Sequence, residues 1–97
     1  MAAAPESFRH LQTPALILDH DRLTANVERM NRRATDLGVS LRPHLKTAKC
    51  LEVARLIFAG GTGPITVSTL REAACFTAAR FTDLLYAVGF AVDKLAV

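Results

Sequence analysis

The sequence predicts an α/β protein built on a parallel sheet, and three observations carry that expectation. Short aliphatic or β-branched runs recur along the chain, stretches of helical periodicity lie between them, and most of those stretches open or close on a capping signal. Strands that alternate with helices in this way form right-handed βαβ units, because a parallel neighbour is reached only through a crossover. The pattern is unfinished. A closed eight-stranded β/α barrel takes about 250 residues, whereas this chain has 97. The expectation from the pattern is an incomplete sheet of three or so β/α units, either part of a (β/α)8 TIM barrel or of an open doubly wound sheet, with a raw edge at the final strand. Residues 1–12 read as an N-terminal leader and residues 13–97 as the N-terminal part of the incomplete domain.

Up to Gln12 the chain carries Pro5, Ser7 and His10 and few periodic apolar residues, as a leader does. Thr13-Pro14 opens the run Ala15-Leu16-Ile17-Leu18, which is strand-like and closed by Asp19. Leu23, Val27, Met30, Ala34 and Leu37 then fall on one helical face. Asp19 or Asp21 can accept from the free amides of the first turn, and Gly38 stands where a left-handed residue ends a helix, so a helix is predicted over about 21–37. A first strand follows over 39–46, although Pro43 within it lacks a ladder donor and is out of place unless the strand bends there. A second helix is predicted over about 49–59, with Leu51, Ala54, Leu56, Ile57 and Phe58 apolar and Gly60-Gly61 as its stop. Pro64-Ile65-Thr66-Val67-Ser68 reads as a buried parallel strand. Thr69-Leu70-Arg71-Glu72 is a capping box, in which the Thr69 hydroxyl takes the Glu72 amide and the carboxylate returns to the Thr69 amide. It announces a third helix to about Arg80. Asp83 to Gly89 reads as another buried strand, and Ala91 to Val97 as the beginning of a helix.

Composition removes several function classes. Hydrophobic residues make up 51% of the chain, enough for a core. The net charge of +3 arises from 12 Lys and Arg against 9 Asp and Glu, and Trp is absent. Nucleic-acid binding wants a denser basic stripe interleaved with aromatic residues, so no such partner is expected. Cys50 and Cys75 are too few and too far apart for a zinc ligand set, and reduced, packed thiols in a cytoplasmic protein are the expectation. Met1 to Pro5 has no basic segment followed by an apolar run, so it is not read as a signal peptide. No run approaches the ~18 apolar residues of a membrane helix.

The chemistry concentrates in Val39-Ser40-Leu41-Arg42-Pro43-His44-Leu45-Lys46-Thr47-Ala48-Lys49. Strand alternation puts Leu41, Pro43 and Leu45 on one face and Arg42, His44 and Lys46 on the other. Like charges at close range disfavour one another's charged forms, so a lysine in that company should deprotonate more readily, as imine chemistry with a carbonyl cofactor requires. The alternative is an exposed basic strand end without a chemical role. Elsewhere, His10 and His20 stand alone in polar surroundings and read as solvent-facing. Tyr86 is either a core tyrosine or a cofactor contact, and Ser68 and Thr69 lie at a strand end, Thr69 already explained as a cap.

Thr13-Pro14-Ala15, Asp19-x-Asp21-x-Leu23-x-x-Asn26, Leu41-Arg42-Pro43-His44-Leu45-Lys46-Thr47 and Val67-Ser68-Thr69-x-x-Glu72-Ala73 occur in this order. In them the chain resembles the D-serine dehydratase and D-threonine aldolase family, pyridoxal 5′-phosphate enzymes of the alanine-racemase-like barrel type. The resemblance covers nearly all of residues 13–95, and its most specific part is the Arg-Pro-His-x-Lys-Thr string. For the fold, the resemblance implies a partial (β/α)8 TIM barrel of the alanine racemase N-terminal type over residues 13–97, its first three or so β/α units only. It implies that Lys46 forms the internal aldimine at the carboxyl end of the first barrel strand, with Arg42 and His44 in cofactor-binding, electrostatic or supporting roles. Many relatives have histidine where this chain has Ala48. The likeness further implies a small D-amino acid with a β-hydroxyl as substrate, and dehydration or aldol cleavage as the reaction. It also implies a divalent metal and a β-rich domain in a later, missing part, and a homodimer at full length. No metal ligand is assigned among these residues. The rivals are an amino-acid racemase, a cofactor carrier without turnover, and a truncated reading frame whose Lys46 never meets a cofactor. The isolated chain is expected to show little or no turnover.

Overall fold

The computed structural model describes residues 5–89 and 91–96. Among them the elements run helix α1 (His20–Leu37), helix α2 (Leu51–Ile57), strand β1 (Ile65–Val67), helix α3 (Leu70–Ala78) and strand β2 (Leu84–Tyr86), with 3-10 turns at Glu6–His10 and Val92–Lys94. Helix α1 starts where the Asp19 carboxylate accepts from the Arg22 amide at 3.0 Å, which satisfies one of the orphan donors of its first turn. It ends at Gly38, whose φ of 65° lets its amide turn back onto the carbonyls of Ala34 and Thr35. Helix α3 starts at Thr69, whose hydroxyl accepts from the Glu72 amide at 3.0 Å. Both helix starts match the sequence signals.

Strands β1 and β2 are parallel and are joined through α3, forming the expected βαβ unit, with Ile65 opposite Leu84 and Val67 opposite Tyr86. The preceding segment joins them by one parallel bridge, His44 to Thr66. Because paired residues of a parallel sheet share a face, Leu45, Ile65, Val67, Leu84 and Tyr86 lie on one side and His44, Thr66 and Leu85 on the other. The first side holds the core. Leu45, Ala54, Ile65, Val67, Phe76 and Phe81 are buried together, and Phe81 meets Phe58 and Phe76 edge to face at centroid distances of 6.3 and 5.3 Å. On the second side His44 and Leu85 are exposed. Helices cover one face of the sheet, while on the other His44 and Leu85 are exposed and Thr66 between them is buried.

The structure corrects several expectations. Ala15 to Leu18 is not a strand: no neighbour pairs with it, and Leu16 is 97% exposed. A β-prone run without a ladder partner has nothing to hold it extended. The strand expected over 39–46 is reduced to its single bridge, in which Thr66 donates to the Pro43 carbonyl at 2.9 Å and accepts from the Leu45 amide at 3.0 Å. Pro43 takes part only as an acceptor, since it has no N–H. The second helix is shorter than expected, lacking a side-chain cap at Cys50. In place of the helix expected from Ala91 there is one 3-10 turn; Val97 lies outside the described residues, as do residues 1–4 of the expected leader. Of the two free thiols Cys50 is half-buried, but Cys75 is exposed rather than packed. His10 and His20 are exposed. No described helix is long and apolar enough to cross a membrane.

Candidate active site

Gly38 reverses the chain after α1 and directs Leu41 to Leu45 alongside β1. Burial along this segment follows the alternation read from the sequence: Leu41 and Pro43 are half-buried and Leu45 is 2% exposed, whereas Arg42, His44 and Lys46 face outward. Leu45 is thus the anchor that fixes where the next residue stands. Immediately after it the chain turns. The Lys49 amide donates to the Leu45 carbonyl at 2.9 Å, closing one tight turn over Lys46, Thr47 and Ala48. Lys49 itself adopts φ 49°, a left-handed conformation uncommon for a residue with a side chain.

Lys46 therefore begins a turn at the carboxyl end of the segment bridged to β1, exposed and in no ion pair among the described residues. Its backbone amide donates to His44 Nδ1 at 3.1 Å. An Nδ1 that accepts leaves the ring hydrogen on Nε2, so this bond selects one neutral tautomer and orients the imidazole. This bond joins the His44 ring to the Lys46 backbone and not to its side-chain amine.

Arg42 is directed elsewhere. Its Nη1 donates to the carbonyls of Ile65 and Asp83, at 2.9 and 3.2 Å, and its Nη2 to the Asp83 carboxylate at 2.6 Å. The guanidinium ties the segment to the beginnings of β1 and β2, the end of the sheet away from Lys46. The three side chains do not stand as a row of unpaired cationic neighbours, because Asp83 matches the Arg42 charge. No local pattern announces Asp83 as that partner, since it lies 41 residues along the chain.

At the carboxyl end of β1, the capping box differs from its expected form. The Glu72 carboxylate accepts from the Thr69 hydroxyl at 2.6 Å and the Ser68 hydroxyl at 3.1 Å, and Glu72 is only 8% exposed. The Thr69 hydroxyl bond, helped by Ser68 and by the positive charge of Lys49, holds this carboxyl below the usual carboxylate range against the opposing effect of burial. Lys49, Thr69, Arg71, Glu72, Cys75 and Phe76 line a cleft of about 330 Å³ beside it. Tyr86 is half-buried on the helix-facing side of the sheet, opposite Val67, as a core tyrosine would be. Among the described residues no group of three or more His, Cys, Asp or Glu side chains could hold a metal ion.

The arrangement is an α/β one with Lys46 and Lys49 in one turn at the carboxyl end of a parallel sheet. No family model matches the chain. It is 51% identical over 85 residues to D-threo-3-hydroxyaspartate dehydratase of Delftia sp. (strain HT23), covering 88% of this chain and 22% of that protein. It is 35% identical to D-serine dehydratase of Dictyostelium discoideum, covering 93% of this chain and 24% of the relative. It is 38% identical to D-threonine aldolase of Arthrobacter sp., covering 81% and 21%. Among solved structures, an alanine racemase-like protein from Idiomarina loihiensis superposes with a TM-score of 0.87 at 45% identity, covering 97% of this chain and 25% of that one. A metal-free form of a D-threo-3-hydroxyaspartate dehydratase mutant gives 0.81 at 49% identity, covering 90% and 23%. Over the portion it spans, the chain is similar to D-amino-acid dehydratases and a D-threonine aldolase, and its fold to that of a solved alanine racemase-like protein. It spans about a quarter or less of the length of these relatives.

Proposed function

We propose that this chain forms the first β/α units of an alanine-racemase-like barrel in a pyridoxal-phosphate-dependent lyase acting on D-amino acids that carry a β-hydroxyl, with Lys46 as the amine that holds the cofactor. The observation that carries this reading is the exposed side chain of Lys46, in no ion pair among the described residues, at the carboxyl end of a sheet segment, the end at which barrel enzymes keep their chemistry. The likeness to dehydratases and an aldolase supports the reaction class.

The residues present suit the cofactor. A free lysine amine is the nucleophile that an aldehyde needs, and the one-turn loop closed by Lys49 holds the Lys46 backbone in one place. When bound, pyridoxal phosphate supplies an electron sink for negative charge developing at the substrate Cα. His44 keeps its Nδ1 on the Lys46 amide, so its Nε2–H is the atom left to donate toward a ligand on the second face of the sheet. Arg42 acts from beneath, fixing the segment against β1 and β2. Lys46 Nζ, once unprotonated, is the group able to take up a proton on its side of the site. The described residues do not themselves form a metal site; the divalent metal implied by the family belongs, in this reading, to a later part of the full-length protein. The two free cysteines suit a reducing, cytoplasmic compartment.

The test is chemical trapping in the full reading frame. Borohydride reduction in the presence of pyridoxal phosphate should label Lys46 and leave the Lys46→Ala variant unlabelled at that peptide. Ammonia released from D-serine, or aldehyde from D-threonine, then separates dehydration from aldol cleavage. Labelling confined to other lysines would remove the reading.

A further inference from the structure

We infer that Lys49 and Glu72 are positioning residues for the Lys46 turn: the Glu72 carboxylate, fixed by two hydroxyls at the start of α3, draws the Lys49 side chain across a cleft that both line and so keeps that turn closed. The inference rests on Lys46 being the cofactor amine. The turn comes first. Lys46 follows Leu45, which is buried, and the Lys49 amide closes the turn on the Leu45 carbonyl at 2.9 Å. The place from which the Lys46 side chain starts is therefore held by burial at one end of the turn and by the Lys49 bond at the other.

The conformation of Lys49 comes second. Its φ of 49° is one that glycine or asparagine adopts readily and lysine does not. Ala59 and Arg80 share it, but each follows a helix, α2 or α3, whose last carbonyls take up the amides there. Lys49 precedes α2 and has only the bond to Leu45 behind it. A disfavoured backbone persists where its surroundings over-determine it, so a second hold through the side chain is called for.

The cleft supplies that hold. Lys49 and Glu72 both line the cavity of about 330 Å³ at the carboxyl end of β1. Glu72 is buried and pinned by the Thr69 and Ser68 hydroxyls, so it is a fixed charge, whereas Lys49 is exposed on a flexible stem and is the partner able to adjust. The Glu72 carboxyl is held below its usual range by the Thr69 hydroxyl first, and by Ser68 and the Lys49 charge besides. The Glu52 carboxyl, only three residues from Lys49, is lowered by the Cys50 thiol and feels Arg55 rather than Lys49. No direct ion pair joins Lys49 to Glu72; the attraction acts across the cleft, where protein walls screen it less than bulk water does. Arg71 also lines the cleft but belongs to α3 itself, so its charge does not tie α3 to the turn.

In the full reading frame, hydrogen exchange at the amide of position 49 reads the turn, and labelling of Lys46 by pyridoxal phosphate and borohydride at limiting cofactor reads its use. Lys49→Asn accepts the left-handed backbone and removes the charge; Glu72→Gln keeps the side-chain shape and removes the charge. Each should lower protection of that amide by about threefold and weaken Lys46 labelling to a similar extent, and the double variant should do no worse than either single one. Lys49→Arg should keep the parent values on both readouts. A charge acting directly on the anionic cofactor would instead make Glu72→Gln label better. That result, additive losses in the double variant, or lost protection confined to Leu70–Ala78 would each overturn the inference and leave the Lys46 reading standing. A parent protein in which Lys46 takes no label would overturn that reading and the positioning role with it.

Discussion

A carboxylate with most of its surface removed from water keeps its charge only if protein groups replace the lost solvation. Glu72 does so with two hydroxyls and the nearby charge of Lys49, and its folded pKa lies below its ordinary value. The unfolded chain therefore binds this proton more readily than the folded one. The stability that Glu72 contributes is fully present above its unfolded value of about 4.3 and is lost as pH falls through the lower folded value. Chemical denaturation of the parent protein between about pH 5 and about pH 3 should show a steeper loss of stability than Glu72→Gln, which has no such proton to bind. Equal slopes would show that the carboxylate is not specially stabilised by the fold. The capping pattern Thr69-x-x-Glu72 is readable in the sequence; the Ser68 bond is not, because three hydroxyl and amide donors compete for one carboxylate and only the packed geometry chooses among them.

At the scale of elements, the segment from Leu41 to Leu45 is held to the sheet by few backbone bonds, and Arg42 supplies the rest. Its guanidinium reaches the Ile65 and Asp83 carbonyls and the Asp83 carboxylate. The carbonyl bonds matter more than the ion pair, since the Asp83 side chain is 64% exposed and water screens it. Replacing Arg42 by Met should cost about 1–3 kcal/mol in urea unfolding, whereas Asp83→Asn should cost less than about 1 kcal/mol. The reverse order would make the charge pair the principal tie. Asp19, Gly38 and Thr69 mark their helix ends in the sequence because a cap acts within three or four residues. The strands are less readable, since a ladder depends on a partner that periodicity does not name.

The whole molecule exposes 7812 Å², against roughly 5,400 Å² expected of a folded monomer of 10.5 kDa. Large apolar side chains contribute to it: Leu16, Ile17 and Leu18 stand outside any sheet, and Leu85 is half exposed on the second face of the sheet. A cavity of about 440 Å³ opens between those first residues, Leu23 of α1 and Val53 of α2. Contiguous apolar surface of this kind drives association when nothing covers it. Expressed alone, the 97 residues should self-associate with rising concentration in sedimentation velocity and unfold over a broad range. A monodisperse monomer with one sharp transition would contradict that expectation.

The sequence by itself determined the helix starts and stops, the inward and outward alternation from Leu41 to Lys46, and the α/β character of the chain, because each of these is set by residues a few positions apart. It also singled out Lys46 and His44, which one short segment carries together. Only the tertiary structure decided that Ala15 to Leu18 would find no strand partner, that Arg42 would turn to Asp83, and that the Ser68 hydroxyl would join Thr69 on the Glu72 carboxylate. Those outcomes depend on which segments lie side by side, and that is settled by burying Leu45, Val67 and Phe81 in one core rather than by any local preference.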